Sequence, residues 1–258
     1  MISRRSLLQS SVASVAIRAV RASTAAPVLG LITPVDSAAP PEASALYPGI
    51  HFEVQGIGLQ SMTPAGYDQV LERIPPAARA LARRGAEAIV LMGTSLSFYR
   101  GASFNRELTR AIQTASSRPA TTMSSAVCEG LRTVGARRLA VATAYDAEVN
   151  RRLEAFLHEE GFEVRAIRGL GIEKVDDIAR VTREGLLEFS AGVFRLADSA
   201  EALLISCGGL RTLDLLVALE TRCGVPVVSS VPHALWAGVR LLGMSARVEG
   251  YGRVLGSK

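Results

Sequence analysis

From Pro27 onward the chain alternates short apolar runs with longer amphipathic stretches. The apolar, β-rich runs are VLGLIT (28–33), HFEVQG (51–56), EAIVLMG (87–93), RLAVATA (138–144), FEVRAI (162–167), EALLISC (201–207) and VPVVSS (225–230). Between most of them lie segments of helical length and periodicity, among them 64–84, 105–116, 147–160 and 183–196. Thr63-Pro64 predicts a helix start, a capping hydroxyl followed by proline at the first helical position. Strands of continuous apolar character alternating with helices predict an α/β fold whose parallel sheets are covered on both faces.

The pattern also repeats. AEAIVLMGTS (86–95) is echoed by AEALLISCGG (200–209), RPATTMSSA (118–126) by VPVVSSVPHA (225–234) with Pro119 on Pro226, and VLGLITP (28–34) by LAVATAY (139–145). Three echoes in the same order predict two pseudo-symmetric lobes, each a parallel four-stranded sheet flanked by helices, with the active site in the cleft between them. The expected division is 26–120 plus 230–258 for the first lobe and 121–229 for the second. Ligands of open α/β sheets bind beyond the carboxyl ends of the strands. That rule sets Gly93-Thr94-Ser95 opposite Cys207-Gly208-Gly209, with Pro34 and Tyr145 as a second matched pair. A cysteine ending a buried strand is by itself a small hydrophobe; the repeat is what singles out Cys207.

Composition narrows the chemistry. No apolar run in the 258 residues reaches the ~18 needed for a membrane span. The three cysteines lack C-x-x-C spacing, and His51, His158 and His233 show no ligand spacing, so no metal is expected. GIGLQS (56–61) begins like a dinucleotide fingerprint, but Ser61 stands where its third glycine belongs, and no cofactor is expected. The formal charge of +5 is unevenly placed: residues 1–25 carry Arg4, Arg5, Arg18 and Arg21 and no acid, and the remainder balances 25 basic against 24 acidic side chains. A near-neutral body without a basic stripe argues against nucleic-acid binding. Ser3-Arg4-Arg5-Ser6-Leu7-Leu8, a weakly apolar stretch to Ile17 and small residues at 23–26 resemble a twin-arginine export signal. Residues 1–25 are therefore read as a signal peptide and the protein as periplasmic; without export it would be cytoplasmic. An exported catalytic thiol would have to stay reduced in an oxidising compartment.

LMGTSLSFYRGASFN (91–105), ATAYDAEVNRRLEAFL (142–157), SCGGLRTLD (206–214) and GVPVVSS (224–230) closely resemble the bacterial arylmalonate decarboxylase family; GLQSMTPAGYD (58–68) and GYGR (250–253) fit it too. The resemblance covers residues 27–253, and the GTSLSFYRG string is its specific part. The wider superfamily holds cofactor-independent aspartate/glutamate racemases and maleate isomerases, which typically use two cysteines on opposite faces of the substrate. This chain has one at the repeat-matched positions, with Gly93 where the other would stand. One proton donor suits a decarboxylase that protonates a single face.

The resemblance implies a cofactor-independent carboxy-lyase for α-aryl or α-alkenyl malonates, a small dicarboxylate substrate, giving one enantiomer of the monoacid. Loss of CO₂ would leave an enediolate, stabilised by hydroxyls of Thr94, Ser95 and Tyr145 and by backbone N–H groups of Ser95, Cys207 and Gly208. Glycines at 208 and 209 would let the backbone approach an anion, and a helix starting near Thr212 would add its positive end. Cys207 would deliver the proton, with surrounding donors lowering its pKa from ~8.5. Pro34, Leu59, Met62, Val175 and Ile178 would form the apolar pocket for the leaving carboxylate, with Met62 and Ile178 as departures that reshape it. Gly93 would leave room for the aryl group.

His233 reads as a core or helix-start residue, Arg211 as surface rather than a second carboxylate anchor, Asp176-Asp177 and Glu159-Glu160 as solvated helix faces, and Cys128 and Cys223 as structural. A racemase or cis-trans isomerase of small carboxylic acids, and an exported carboxylate-binding protein, are the alternatives. The first is opposed by Gly93; the second would keep its affinity after Cys207→Ser. A monomer fits the sequence.

Overall fold

The computed structural model describes residues 26–257. The export signal read from residues 1–25 lies outside the described residues.

Among the described residues eight strands form two sheets. The first contains β1 (Val28–Thr33), β2 (His51–Gly56), β3 (Ala88–Leu91) and β4 (Ala120–Thr122), in the order β2-β1-β3-β4. The second contains β5 (Arg138–Thr143), β6 (Glu163–Gly169), β7 (Ala202–Ser206) and β8 (Val227–Ser229), in the order β6-β5-β7-β8. Every pairing is parallel. The orders are identical when β1 is matched to β5, β3 to β7 and β4 to β8, which is the correspondence that the three sequence echoes predict. The two central strands of each sheet read as uninterrupted hydrophobes because both faces are covered: Leu29, Leu31, Ile89 and Val90 in one, Leu139, Val141, Leu203 and Leu204 in the other, are all fully buried. Each such side chain contributes about 1.5–3 kcal/mol of transfer free energy. The edge strand β2 is only half-buried, and β6 carries a register shift opposite Leu139/Ala140.

Among the described residues ten helices cover the sheets: α1 (Pro41–Leu46), α2 (Pro64–Asp68), α3 (Ile74–Arg83), α4 (Thr94–Phe98), α5 (Gly101–Ser116), α6 (Met123–Thr133), α7 (Ala147–Glu159), α8 (Arg183–Leu196), α9 (Leu216–Cys223) and α10 (Ser230–Leu241). The Thr63 cap is present, its hydroxyl accepting the Gly66 N–H at 3.2 Å, an interaction worth about 1 kcal/mol. The single helix expected over 64–84 is broken. It falls into α2, a 3-10 turn at Leu71–Arg73, and α3. Pro75 and Pro76 supply no N–H to a preceding turn, so they sit at the start of a new helix rather than inside an old one. Glu159 and Glu160 are likewise more than a solvated face. Glu159 accepts the Ala102 N–H at 2.6 Å at the start of α5, and Glu160 pairs with Arg132 at 2.7 Å.

The last helix joins the halves. α10 leaves β8 of the second sheet and packs on β3, β4 and α6. A Cβ on Gly238 would meet Val90 Cγ2 at 2.7 Å and Leu29 Cδ2 at 2.8 Å. Only glycine lets α10 lie this close to the first sheet.

Candidate active site

β3 and β7 end at one cavity of about 490 Å³. Gly93, Thr94 and Ser95 line it from the first lobe, Cys207 and Gly208 from the second. Pro34, Leu59, Met62, Val175 and Ile178 supply apolar wall. Two loops bring that wall together: the Met62 N–H donates to the Glu173 carbonyl at 2.9 Å, beside an isolated bridge between Ser61 and Lys174. Ile178 lies against the backbone beyond the thiol, where a Cβ on Gly209 would meet its Cδ1 at 2.7 Å. Gly209 is thus required by close approach.

Gly93 leaves space instead. Its φ of −133° is ordinary extended backbone. A Cβ there would stand 3.1 Å from Leu96 Cβ and 3.6 Å from Pro34 Cγ. The missing side chain leaves cavity where the repeat sets a partner for Cys207.

Thr94 and Ser95 occupy the first turn of α4, where helix N–H groups lack intrahelical partners. The short helix is held by side chains: Ser97 Oγ donates to the Gly93 carbonyl at 2.8 Å, and Ser124 Oγ to the Thr94 carbonyl at 2.9 Å. Thr94 Oγ1 donates to Ser230 Oγ at 2.8 Å and lies 2.9 Å from Met123 Sδ. Ser230 Oγ also accepts the Cys207 N–H at 3.1 Å. This corrects the expectation that the Cys207 N–H is free to bind an oxyanion: it is engaged by a hydroxyl that also holds Thr94.

The Cys207 side chain is buried at 4 % exposure. Burial pushes its thiol up to about 11, against the N–H groups of Gly209 and Leu210 and the Tyr145 hydroxyl, which favour the thiolate. The expected lowering is thus reversed, because desolvation outweighs the donors. At neutral pH the group is a protonated acid. Tyr145 does not line the cavity. Its fully buried ring places the hydroxyl beside the thiol and Thr94, 3.3 Å from Ser206 Oγ. Burial holds that phenol well above its ordinary range, so it remains a donor. The helix expected near Thr212 begins as a 3-10 turn, Leu213–Leu215, ahead of α9.

Two residues escape sequence reasoning. Ser230 belongs to a Pro-led strand in the one-dimensional reading, whereas β8 stops at Ser229 and Ser230 opens α10. Tyr67 is fully buried, and its hydroxyl has no hydrogen-bond partner among the described residues. It sits within electrostatic reach of Ser95 and Cys207. Tyr67 does not line the cavity, but a buried donor left without a partner beside Ser95 calls for an explanation. The TPAGYD segment marks the helix cap but carries no signal for that hydroxyl.

His233 is core. Its Nδ1 accepts the Ser229 N–H at 3.0 Å, and burial pulls its pKa down to about 4. Arg211 is exposed, as expected, but it also lines the mouth of the cavity. Cys128 is buried and Cys223 half-buried; all three cysteines are free thiols. Among the described residues no three His, Cys, Asp or Glu side chains are grouped to hold a metal ion, and no helix is long and apolar enough to cross a membrane.

These features define an α/β protein of two parallel four-stranded sheets with a cavity at the strand ends. A family model, arylmalonate decarboxylase, matches residues 29–255. Arylmalonate decarboxylase of Bordetella bronchiseptica is 48% identical over 230 residues, 88% of this chain and 96% of the relative. A crystal structure of a mutant arylmalonate decarboxylase in the liganded form superposes with a TM-score of 0.87 at 46% identity, covering 90% of this chain and 100% of that one. A maleate isomerase of Pseudomonas putida S16 shares the fold, with a TM-score of 0.83 at 20% identity over 90% of this chain and 98% of that one. The chain belongs to the arylmalonate decarboxylase family, and it is a carboxy-lyase.

Proposed function

We propose that the protein decarboxylates α-aryl or α-alkenyl malonates without a cofactor and gives a chiral monoacid. The observation that carries this is the pairing at the strand ends: a protonated thiol on one side of the cavity and a glycine on the other. The carboxylate to be lost sits against Pro34, Leu59, Met62, Val175 and Ile178. There a charge is poorly solvated and neutral CO₂ is favoured. The carboxylate that stays meets Ser95, the Gly208 N–H and the Thr94 hydroxyl, with the buried hydroxyls of Tyr145 and Tyr67 supporting these donors from behind. When the bond to the lost carboxyl breaks, its electron pair enters the enediolate, and these donors stabilise the oxygens that gain charge. Thr94 has a single hydroxyl proton, so it turns from Ser230 to the substrate as that charge develops. Cys207 Sγ–H then protonates the α-carbon from its side. The resulting thiolate, supported by the Gly209 and Leu210 N–H groups and Tyr145, recovers its proton from solvent. An isomerase or racemase of the same fold would need a second acid or base at position 93, where Gly93 offers neither.

Incubation with phenylmalonate and methyl-phenylmalonate tests this. CO₂ release from both, and a single enantiomer of 2-phenylpropionate from methyl-phenylmalonate, are expected. No CO₂ from any arylmalonate would overturn the proposal.

A further inference from the structure

The substrate class proposed above is a dianion, yet the interior of the cavity holds no cation. Among the described residues that line it only Cys207 and Arg211 are ionisable, and the thiol is protonated. Arg211 stands at the mouth, four residues beyond Cys207 on the segment that carries the thiol, beside exposed Ser37, Ala38 and Pro41. Among the described residues it forms no ion pair and no hydrogen bond. Glu42 and Asp214 are the acids near it: Glu42 is buried in α1 within electrostatic reach of both.

Resting on the decarboxylase reading, we infer that Arg211 is a capture residue that draws the dianionic substrate to the cleft and favours it over the monoanionic product. The position suits the chemistry. A guanidinium paired with the leaving carboxylate inside the pocket would stabilise the bound substrate more than the transition state and slow CO₂ loss. The same charge at the rim raises the rate of encounter without entering the reacting geometry. It attracts two negative charges before the reaction and one afterwards, so the product is released from a weaker field than the one that gathered the substrate. The body of the protein balances 25 basic against 24 acidic side chains beyond residue 25. No broad positive field stands behind Arg211, which makes its contribution local and separable.

The test is steady-state kinetics of the full chain on phenylmalonate between about 0.01 and 0.5 M ionic strength, a range that shortens screening from about 30 Å to a few ångströms. Native kcat/KM should fall several-fold across it while kcat stays level. Arg211→Gln should lose about three- to tenfold in kcat/KM at the lowest salt, the low end of electrostatic steering, with kcat unchanged and a flattened salt profile. Arg211→Lys should keep the slope, because a point charge suffices for capture, whereas a packing or bidentate role would lose it. Glu42→Gln should raise low-salt kcat/KM by removing an opposing carboxyl. Inhibition by the monoacid product should weaken in Arg211→Gln by about the square root of the factor seen for the substrate, since the Coulomb term scales with charge. A salt profile of Arg211→Gln that overlays the native one would overturn the inference. If native protein releases no CO₂, the decarboxylase reading fails separately. Calorimetric binding of phenylmalonate to native and Arg211→Gln protein then decides the role of Arg211, with equal affinities at low salt overturning it.

Discussion

At the end of β3 stand a glycine and two hydroxyl residues; at the end of β7 stand a thiol and two glycines. The scaffolds beneath them are the same, four parallel strands in the same order. A second pair differs in the same sense. Aligned on Pro119 and Pro226, Met123 and Ser230 open α6 and α10 at equivalent positions, and both lie against Thr94 Oγ1, at 2.9 and 2.8 Å. One is an apolar thioether; the other is a hydroxyl that also holds the Cys207 N–H at 3.1 Å. Duplication supplied a symmetric cleft, and substitutions at matched positions made its two walls chemically different. The thiol stands at the end of one sheet; the space left by Gly93 and the hydroxyls of Thr94 and Ser95 stand at the end of the other.

Replacing the thiol erases the difference most completely. Cys207→Ser should lower kcat by about 10²–10⁴-fold, the range for a positioned general acid, measured as CO₂ release from phenylmalonate. The native pH profile sharpens this. In the proposed reaction the active form is the protonated thiol, whose pKa is raised to about 11. Activity attributable to it should persist through the alkaline range and fall only as pH approaches that value. A loss centred near the ordinary thiol pKa would show that the group is more solvated than its burial indicates.

Restoring symmetry should have a smaller effect on rate and a qualitative one on outcome. Gly93→Cys sets a second thiol opposite the first, with Leu96 yielding a few tenths of an ångström to the new Cβ at 3.1 Å. Decarboxylation should weaken by about tenfold, as overpacking costs about 1–3 kcal/mol. α-Proton exchange and racemisation of 2-arylpropionates should appear, followed by deuterium incorporation and chiral chromatography. No exchange at all would mean that positions 93 and 207 do not face the same carbon.

The smallest effect should come from the anchor. Ser230→Ala removes one acceptor shared by two donors. At about 1 kcal/mol for such a bond, kcat should fall by about five- to tenfold with KM nearly constant, and enantiomeric purity should drop as Cys207 loosens. Ser230→Thr, which keeps the oxygen, should restore both. A KM effect without a kcat effect would place Ser230 in binding instead.

The pairing of strand ends was legible in the sequence because parallel strands buried on both faces leave continuous apolar runs, and a duplicated fold leaves the same runs twice. Gly93 and Cys207 could be named for that reason, whereas Leu59, Met62, Val175 and Ile178 of the apolar wall came from the family resemblance. The bounds of α8 were legible too, since Thr182 and the amphipathic period mark them locally. What stayed hidden depends on contacts between segments far apart in the chain. Ser230 meets Thr94 across 136 positions, and periodicity contains nothing about such a meeting. The orphaned hydroxyl of Tyr67 is visible only once every neighbouring donor and acceptor has been placed. The direction of the Cys207 shift was missed because desolvation is a property of the whole enclosure, while the donors that oppose it are local and easy to name. The break between α2 and α3 was the exception: Pro75-Pro76 spelled it out, and the amphipathic pattern on either side masked it.

The docking of α10 bears on how the enzyme is made. That helix follows every other regular element in the chain, yet its first residue ties Thr94 to Cys207 and its Gly238 seats it on the first sheet. On the ribosome, strands and helices of both lobes can assemble before it emerges. Until it does, the Cys207 amide and the Thr94 hydroxyl lack their common partner and the first sheet lacks part of its cover. Synthesis therefore delivers a nearly folded but incompetent chain, and competence arrives with the final helix.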